Sequence, residues 1–165
     1  MSEKRKCVFA GTFDPPTLGH KAIVEACEKL FDEVVVAILV NPAKTPYFSL
    51  EQRKEMLRLT VGESEKVRIV ATTGTVAELL KAENTEIYVR GIRNSIDLDY
   101  ENANFYASRK LDENVTAMYI PCPQELLHVS SSIVRSSLLF GTPIDEYVTE
   151  EVKEYITRNQ RERSF

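Results

Sequence analysis

The chain predicts an α/β fold: a Rossmann-like, doubly wound, five-stranded parallel sheet in a single domain. Three observations carry that prediction. Strand-like and helix-like segments alternate five times along 165 residues with no linker, repeat or low-complexity stretch between them. The most apolar strand candidate is continuous rather than alternating, as a parallel strand covered on both faces requires. The first strand also breaks at a glycine into a proline-containing turn and then a helix, a junction whose backbone N–H groups can meet an anion.

In chain order, Cys7-Val8-Phe9-Ala10 reads as the opening buried strand and Gly11 to His20 as the turn into a helix. Ala22, Ile23, Ala26, Cys27, Leu30 and Phe31 form that helix's apolar face, and Asp32-Glu33 ends it. Val34 to Val40 is the second strand, stopped by Asn41-Pro42 and followed by a polar loop carrying Lys44. Ser49 with Gln52 is a capping box opening a helix from about Leu50 to Val61. Val67 to Ala71 is the third strand, Thr75 to about Ala82 a short helix, and Ile87 to Gly91 the fourth strand. Ile96, Tyr100, Ala103, Ala107 and Leu111 trace one stripe of a helix over 95–111, with Asp97 and Asp99 in its first turn, where the helix dipole favours negative charge. Ala117 to Ile120 is the fifth strand, closed by Pro121 and Pro123. Ser130-Ser131-Ser132 opens a helix through Phe140 with Gly141 as its stop, and a last helix from about Glu150 buries Val152, Tyr155 and Ile156. The domain spans 1–165, with a core over about 6–156 and a charged tail over about 157–165.

Composition removes several function classes. Apolar residues at 43% and charged residues at 28% describe a soluble globular chain rather than a disordered one. A net charge of −4 argues against general nucleic-acid binding, which needs a basic face. No apolar run approaches the ~20 residues that span a bilayer, and Met1 to Lys6 leads into a strand without a signal-peptide core. Cys7, Cys27 and Cys122 are odd in number and contain no CxxC, so neither a disulfide framework nor a zinc site is indicated. A reducing, cytoplasmic setting without membrane or nucleic-acid partners is the expectation.

Ligands of open α/β sheets bind beyond the carboxyl ends of the strands. The informative residues follow that rule: Gly11-Thr12 after the first strand, Lys44 after the second, Arg90 to Arg93 after the fourth, Ser130 to Ser132 after the fifth. Lysine and arginine supply positive charge, serine hydroxyls and helix-start N–H groups bind phosphate oxygens, and an arginine ending a buried strand needs an anionic partner or an exit to water. A lone histidine at a helix start would read as a solvated cap. Within Gly11-Thr12-Phe13-Asp14-Pro15-Pro16-Thr17-Leu18-Gly19-His20, Gly11 removes side-chain bulk and the polar side chains of Thr12, Thr17 and His20 can contact the same ligand.

That stretch resembles the (T/H)xGH signature of the nucleotidyltransferase superfamily. With Lys44 to Phe48, Arg90-Gly91-Ile92-Arg93, Tyr100-Glu101 and Ser130 to Arg135, the chain from about Lys6 to Ile156 resembles the phosphopantetheine adenylyltransferase family. The resemblance implies transfer of an adenylyl group from Mg-ATP to 4′-phosphopantetheine, giving dephospho-CoA and pyrophosphate by in-line attack. It implies that Thr12, Lys44 and Arg90 hold the acceptor phosphate beside Val76, and that His20 stabilises the α-phosphate, with Thr12, Lys44 and Arg93 completing the catalytic group. It places ATP against Thr12, Phe13, His20, Gly91, Ile92, Arg93, Glu101 and the loop Leu126, Leu127, His128, Val129, Ser130, Ser131 and Ser132. Mg²⁺ would be held mainly by the ATP phosphates, without protein ligands. Feedback by CoA and a homohexamer are implied in the same way. Thr75, Asn104, Ser108 and Leu126 depart from the commoner family residues and touch the pantetheine and adenine pockets. A sister activity, nicotinamide mononucleotide adenylylation or cytidylyl transfer, is the alternative, against which Thr17 counts because those branches usually carry histidine there. A non-catalytic CoA or nucleotide sensor is the reading from another class.

Overall fold

The structure is a computed structural model describing residues 3–163. Along the chain run β1 (Lys6–Gly11), α1 (Leu18–Leu30), β2 (Glu33–Leu39), α2 (Leu50–Val61), β3 (Val67–Thr72) and α3 (Val76–Ala82). They are followed by β4 (Ile87–Ile92), α4 (Ser95–Leu111), β5 (Thr116–Pro121), a short 3₁₀ turn (Gln124–Leu126), α5 (Ser131–Phe140) and α6 (Glu150–Arg163). The strands form one sheet in the order β3-β2-β1-β4-β5. Every pairing is parallel, and Phe9 lies between Val36 of β2 and Val89 of β4. Strand order reverses between β1 and β4, so the connections leaving these two strands diverge and open a crevice at their carboxyl ends.

Strand periodicity sorts the core. Cys7 and Phe9 join Ile23, Val24 and Cys27 of α1 on one face, while Val8 and Ala10 join Leu79 and Leu80 of α3 on the other. A third cluster of Met56, Val134, Val152 and Ile156 ties α2, α5 and α6 together. Each fully buried Val, Leu, Ile, Phe or Met side chain among them contributes about 1.5–3 kcal/mol of transfer free energy. The helix ends follow their sequence signals. Ser49 and Gln52 form the capping box of α2, and Gly141 takes the left-handed conformation (φ 70°) that closes α5.

Several expectations change. The stripe on α4, read from the sequence only as one face of the helix, is exposed at Ile96, Tyr100, Ala103, Ala107 and Leu111, and Glu101 is the helix's buried residue. α4 packs against α3 and β4 and joins the second core face through Phe105, so a helical period identified a face without showing that this chain covers it. Asp99 lies beyond the first turn of α4, which Asp97 alone supplies with acid. Leu30 is exposed while Val24 takes its place in the core, α1 ends before Asp32, and Glu33 already belongs to β2. Pro121 is the last residue of β5 rather than its stop, and Tyr155 is half-buried. The expected charged tail is helical through Arg163, and residues 164–165 lie outside the described residues.

Candidate active site

β1 delivers the first part of the site. Gly11 ends the strand where a Cβ would sit 3.3 Å from Phe13 Cζ, because Phe13, at φ 49°, folds its ring back beneath the turn. That ring is buried and meets the His20 ring edge-on at 4.8 Å. Thr17 then caps α1: its hydroxyl accepts from the His20 N–H (3.4 Å), and its own backbone N–H donates to His20 Nδ1 (2.9 Å). A backbone N–H can only donate, so Nδ1 must be the acceptor and the neutral ring carries its proton on Nε2. Burial, with the guanidinium groups of Arg90 and Arg93, lowers the His20 pKa to about 3. The site therefore holds a neutral imidazole whose remaining polar atom is an N–H donor.

β4 brings the arginines. Arg90 donates to the carbonyl of Ala10 across the sheet and to Glu101 Oε1 (2.6 Å). Arg93 grips Asp97 through Nε (3.0 Å), and its NH1 reaches the Val129 carbonyl (3.3 Å). Burial alone would raise Asp97, but its bonds from the Arg93 side chain and backbone outweigh that and hold it below the usual carboxylate range. Among the described residues Arg90 Nε and Glu101 Oε2 are buried without a hydrogen-bond partner, so the pair keeps unused polar capacity. Gly91 lets these groups approach α1: a Cβ there would lie 2.8 Å from Ile23 Cγ1.

α5 closes the third side. Ser130 caps the helix by accepting from the Ile133 N–H (3.2 Å), and Ser131 Oγ donates to the Pro15 carbonyl (2.7 Å). Arg135 donates to the Asp14 carbonyl (2.7 Å) and to Ser132 Oγ (3.1 Å). Serine hydroxyls and the first amides of α5 thus stand beside the turn after β1.

These parts line one cavity of about 430 Å³, within the size range of small-molecule sites. Thr12, Phe13, His20, Arg90, Gly91, Arg93, Glu101, Ser130, Ser131 and Ser132 line it. Lys44, Val76, Ile92, Leu126, Leu127, His128 and Val129 do not. Lys44 stands on the exposed loop 41–47; Val76 packs against the second core face; Leu126 belongs to the 3₁₀ turn, and His128 is exposed near the Tyr147 ring. The expectation that the N-terminal amides of α1 are free for an anion changes in part, since Leu18 N–H donates to the Tyr147 carbonyl and His20 N–H is taken by Thr17.

Cys122, Asp97, Tyr100 and Arg135 line the cavity without having been given a site role from the sequence, although Tyr100 and Arg135 stood within its motifs. Arg135 was visible at the end of the Ser130 to Arg135 stretch; Cys122, a lone cysteine after a strand, carried no signal. Asp14 and Arg53, behind the cavity wall, were also missed. Two arginines, a serine-rich helix start and a neutral N–H donor around one cavity suit a polyphosphate.

Residues 8–137 match the family model described as cytidylyltransferase-like. A phosphopantetheine adenylyltransferase of Symbiobacterium thermophilum is 39% identical over 143 residues, 87% of this chain and 88% of that protein. One of Streptococcus pneumoniae is 39% identical over 155 residues, 93% of this chain and 95% of that protein. The Plasmodium falciparum nicotinic acid mononucleotide adenylyltransferase complexed with APC superposes with a TM-score of 0.72 at 18% identity, covering 96% of each chain, a likeness of fold.

Proposed function

We propose, from the premise that this chain belongs to the phosphopantetheine adenylyltransferase family of cytidylyltransferase-like proteins, a mechanism for its adenylyl transfer in coenzyme A biosynthesis. An oxygen of the 4′-phosphopantetheine phosphate attacks the α-phosphorus of ATP in line. The bond from that phosphorus to the oxygen bridging to the β-phosphate breaks, and pyrophosphate leaves with the electron pair. The acceptor is already anionic, so positioning and charge stabilisation carry the rate and no residue need form a covalent bond.

Each chain residue then has a task. The Nε2–H of His20 donates to a non-bridging α-phosphate oxygen as charge builds there. Arg90, Thr12 and Lys44 hold the acceptor phosphate, with Val76 on the pantetheine side. Arg93 and Ser130 to Ser132 hold the β- and γ-phosphates, and Phe13, Gly91, Ile92, Glu101 and Leu126 to Val129 surround the nucleotide. Among the described residues no three His, Cys, Asp or Glu side chains cluster as a metal site, and the cavity carboxylates Asp97 and Glu101 are each paired with an arginine. This donor set fits a Mg²⁺ that arrives on the triphosphate, where it would supply further charge neutralisation.

The observation that carries this reading is that a neutral N–H donor, two arginines and the serine triplet, from three separate segments, line one cavity. CoA as a feedback ligand, a cytoplasmic setting and self-association, as a hexamer, belong to the same reading; the uncovered apolar face of α4 supports the last. No helix among the described residues is long and apolar enough to cross a membrane. Incubation with Mg-ATP and each acceptor in turn tests it. Dephospho-CoA formed from 4′-phosphopantetheine, with no product from nicotinamide mononucleotide or from CTP, is the expected result. Dinucleotide from nicotinamide mononucleotide would favour the sister activity, and CoA binding without pyrophosphate release a sensor.

A further inference from the structure

Three groups, Asp14 and Arg53 behind the cavity wall and Arg135 on it, have no task in the transfer itself. Asp14 is 5% exposed, and its two carboxylate oxygens accept from the backbone N–H groups of Tyr47 (2.7 Å, to Oδ2) and Phe48 (2.8 Å, to Oδ1), more than thirty residues along the chain. Arg53, at 3% exposure, reaches from α2 to donate to the Thr12 carbonyl (2.9 Å), and its charge lies close enough to Asp14 to interact with it. Arg135 holds the Asp14 carbonyl from α5 (2.7 Å). The turn 12–14 is thus fastened from both sides, and the Asp14 side chain passes that fastening to the loop that carries Lys44.

That loop has little else to hold it. Residues 41–47 are exposed, and its internal bonds, Lys44 N–H to the Asn41 carbonyl (3.1 Å) and Ala43 N–H to Asn41 Oδ1 (2.9 Å), bind it only to its own start. Tyr47 is three residues from Lys44, and an extended chain spans at most about 3.3–3.6 Å per residue, so fixing Tyr47 and Phe48 beside the turn confines the Lys44 backbone to within about 11 Å of it. A carboxylate suits this task because both oxygens accept, whereas an amide offers a donor in place of one of them.

We propose that Asp14 is a positioning residue: by binding the Tyr47 and Phe48 amides it ties the Lys44 loop to the turn bearing Thr12, so that Lys44 and Thr12 meet the acceptor phosphate together. This rests on the reading of Lys44 as an acceptor-phosphate ligand. It makes the affinity for 4′-phosphopantetheine depend on a residue that touches no substrate.

Two variants test it from opposite ends. Asp14→Asn removes one acceptor from the turn; Tyr47→Pro removes one donor from the loop and leaves the turn intact. Each is expected to speed hydrogen exchange at the Phe48 amide and to raise the KM for 4′-phosphopantetheine about tenfold, a loss of acceptor binding. In Tyr47→Pro the KM for ATP should stay within about twofold, and the double variant should bind the acceptor no worse than the weaker single one, as groups sharing one contact do. A merely structural role would lower stability without separating the two KM values. Should Asp14→Asn fail to fold, Tyr47→Pro carries the test alone. A freed Phe48 amide with an unchanged acceptor KM would overturn the proposal, as would an unprotected Phe48 amide in the unaltered protein. Absence of turnover with 4′-phosphopantetheine in the unaltered protein would instead remove the functional reading and the acceptor half of the proposal with it, while Phe48 exchange still reported the contact.

Discussion

His20 shows how one backbone hydrogen bond sets the character of the proposed α-phosphate donor. Because the Thr17 N–H occupies Nδ1, the ring meets a ligand through Nε2–H, and because burial and two arginines depress its pKa to about 3 it does so uncharged. His20→Ala should leave both substrates bound but lower kcat by about 10²–10³, the effect of losing one transition-state donor, in a steady-state assay. The same depression predicts a pH effect on stability. Between pH 6.5 and about 3 the unfolded chain binds a proton at this site and the folded chain does not, so the contribution is fully present above 6.5 and is lost as pH falls through that window. The urea midpoint of the unaltered protein should therefore fall more steeply from pH 6.5 to 4 than that of His20→Gln. At this scale much was legible: glycine, threonine and histidine at fixed spacing pointed to the turn, and Arg90 and Arg93 to the carboxyl end of the neighbouring strand. Asp14 and Arg53 were not, since a carboxylate that bonds backbone amides thirty-odd residues away leaves no local pattern.

Among the elements, sequence signals worked best where the cause is local. The capping box at Ser49 placed α2, the serine triplet and the glycine stop at 141 placed α5 within a residue, and β-branched continuity placed β2. α4 shows the limit of such signals: its ends and its apolar stripe were legible, but not whether that stripe is covered. A 3.6-residue stripe reports that a helix has an apolar side, but what covers that side is a tertiary or quaternary fact. Ile96 at 77% and Leu111 at 67% exposure are the cost of that side facing water in a single chain. If copies of the chain cover it, as the proposed assembly requires, Leu111→Glu should lower the sedimentation coefficient while leaving the far-ultraviolet circular dichroism unchanged. An unaltered coefficient would place the contact between copies elsewhere. The 3₁₀ turn at Gln124–Leu126 carried no periodicity to find, being three residues long.

For the whole molecule, the governing fact is the strand order. Placing β1 and β4 side by side at the reversal puts the Gly11 turn and the Arg90–Arg93 segment on either side of one crevice, and α5 brings the serines across it. Alternating elements foretold a doubly wound sheet, and with it the edge at which ligands gather. Which side chains would line the cavity was less legible, because Lys44 and the 126–129 segment sit on connections whose path depends on long-range bonds. The account stands on a single triphosphate lying across that crevice with the acceptor phosphate in line behind it. A crystal structure with α,β-methylene ATP and 4′-phosphopantetheine measures this directly. The expected result is an acceptor oxygen about 3–3.5 Å from the α-phosphorus, opposite the bridging methylene, with His20 Nε2 on a non-bridging α-phosphate oxygen. A triphosphate bound away from the β1–β4 crevice, or an α-phosphate out of reach of His20, would contradict it.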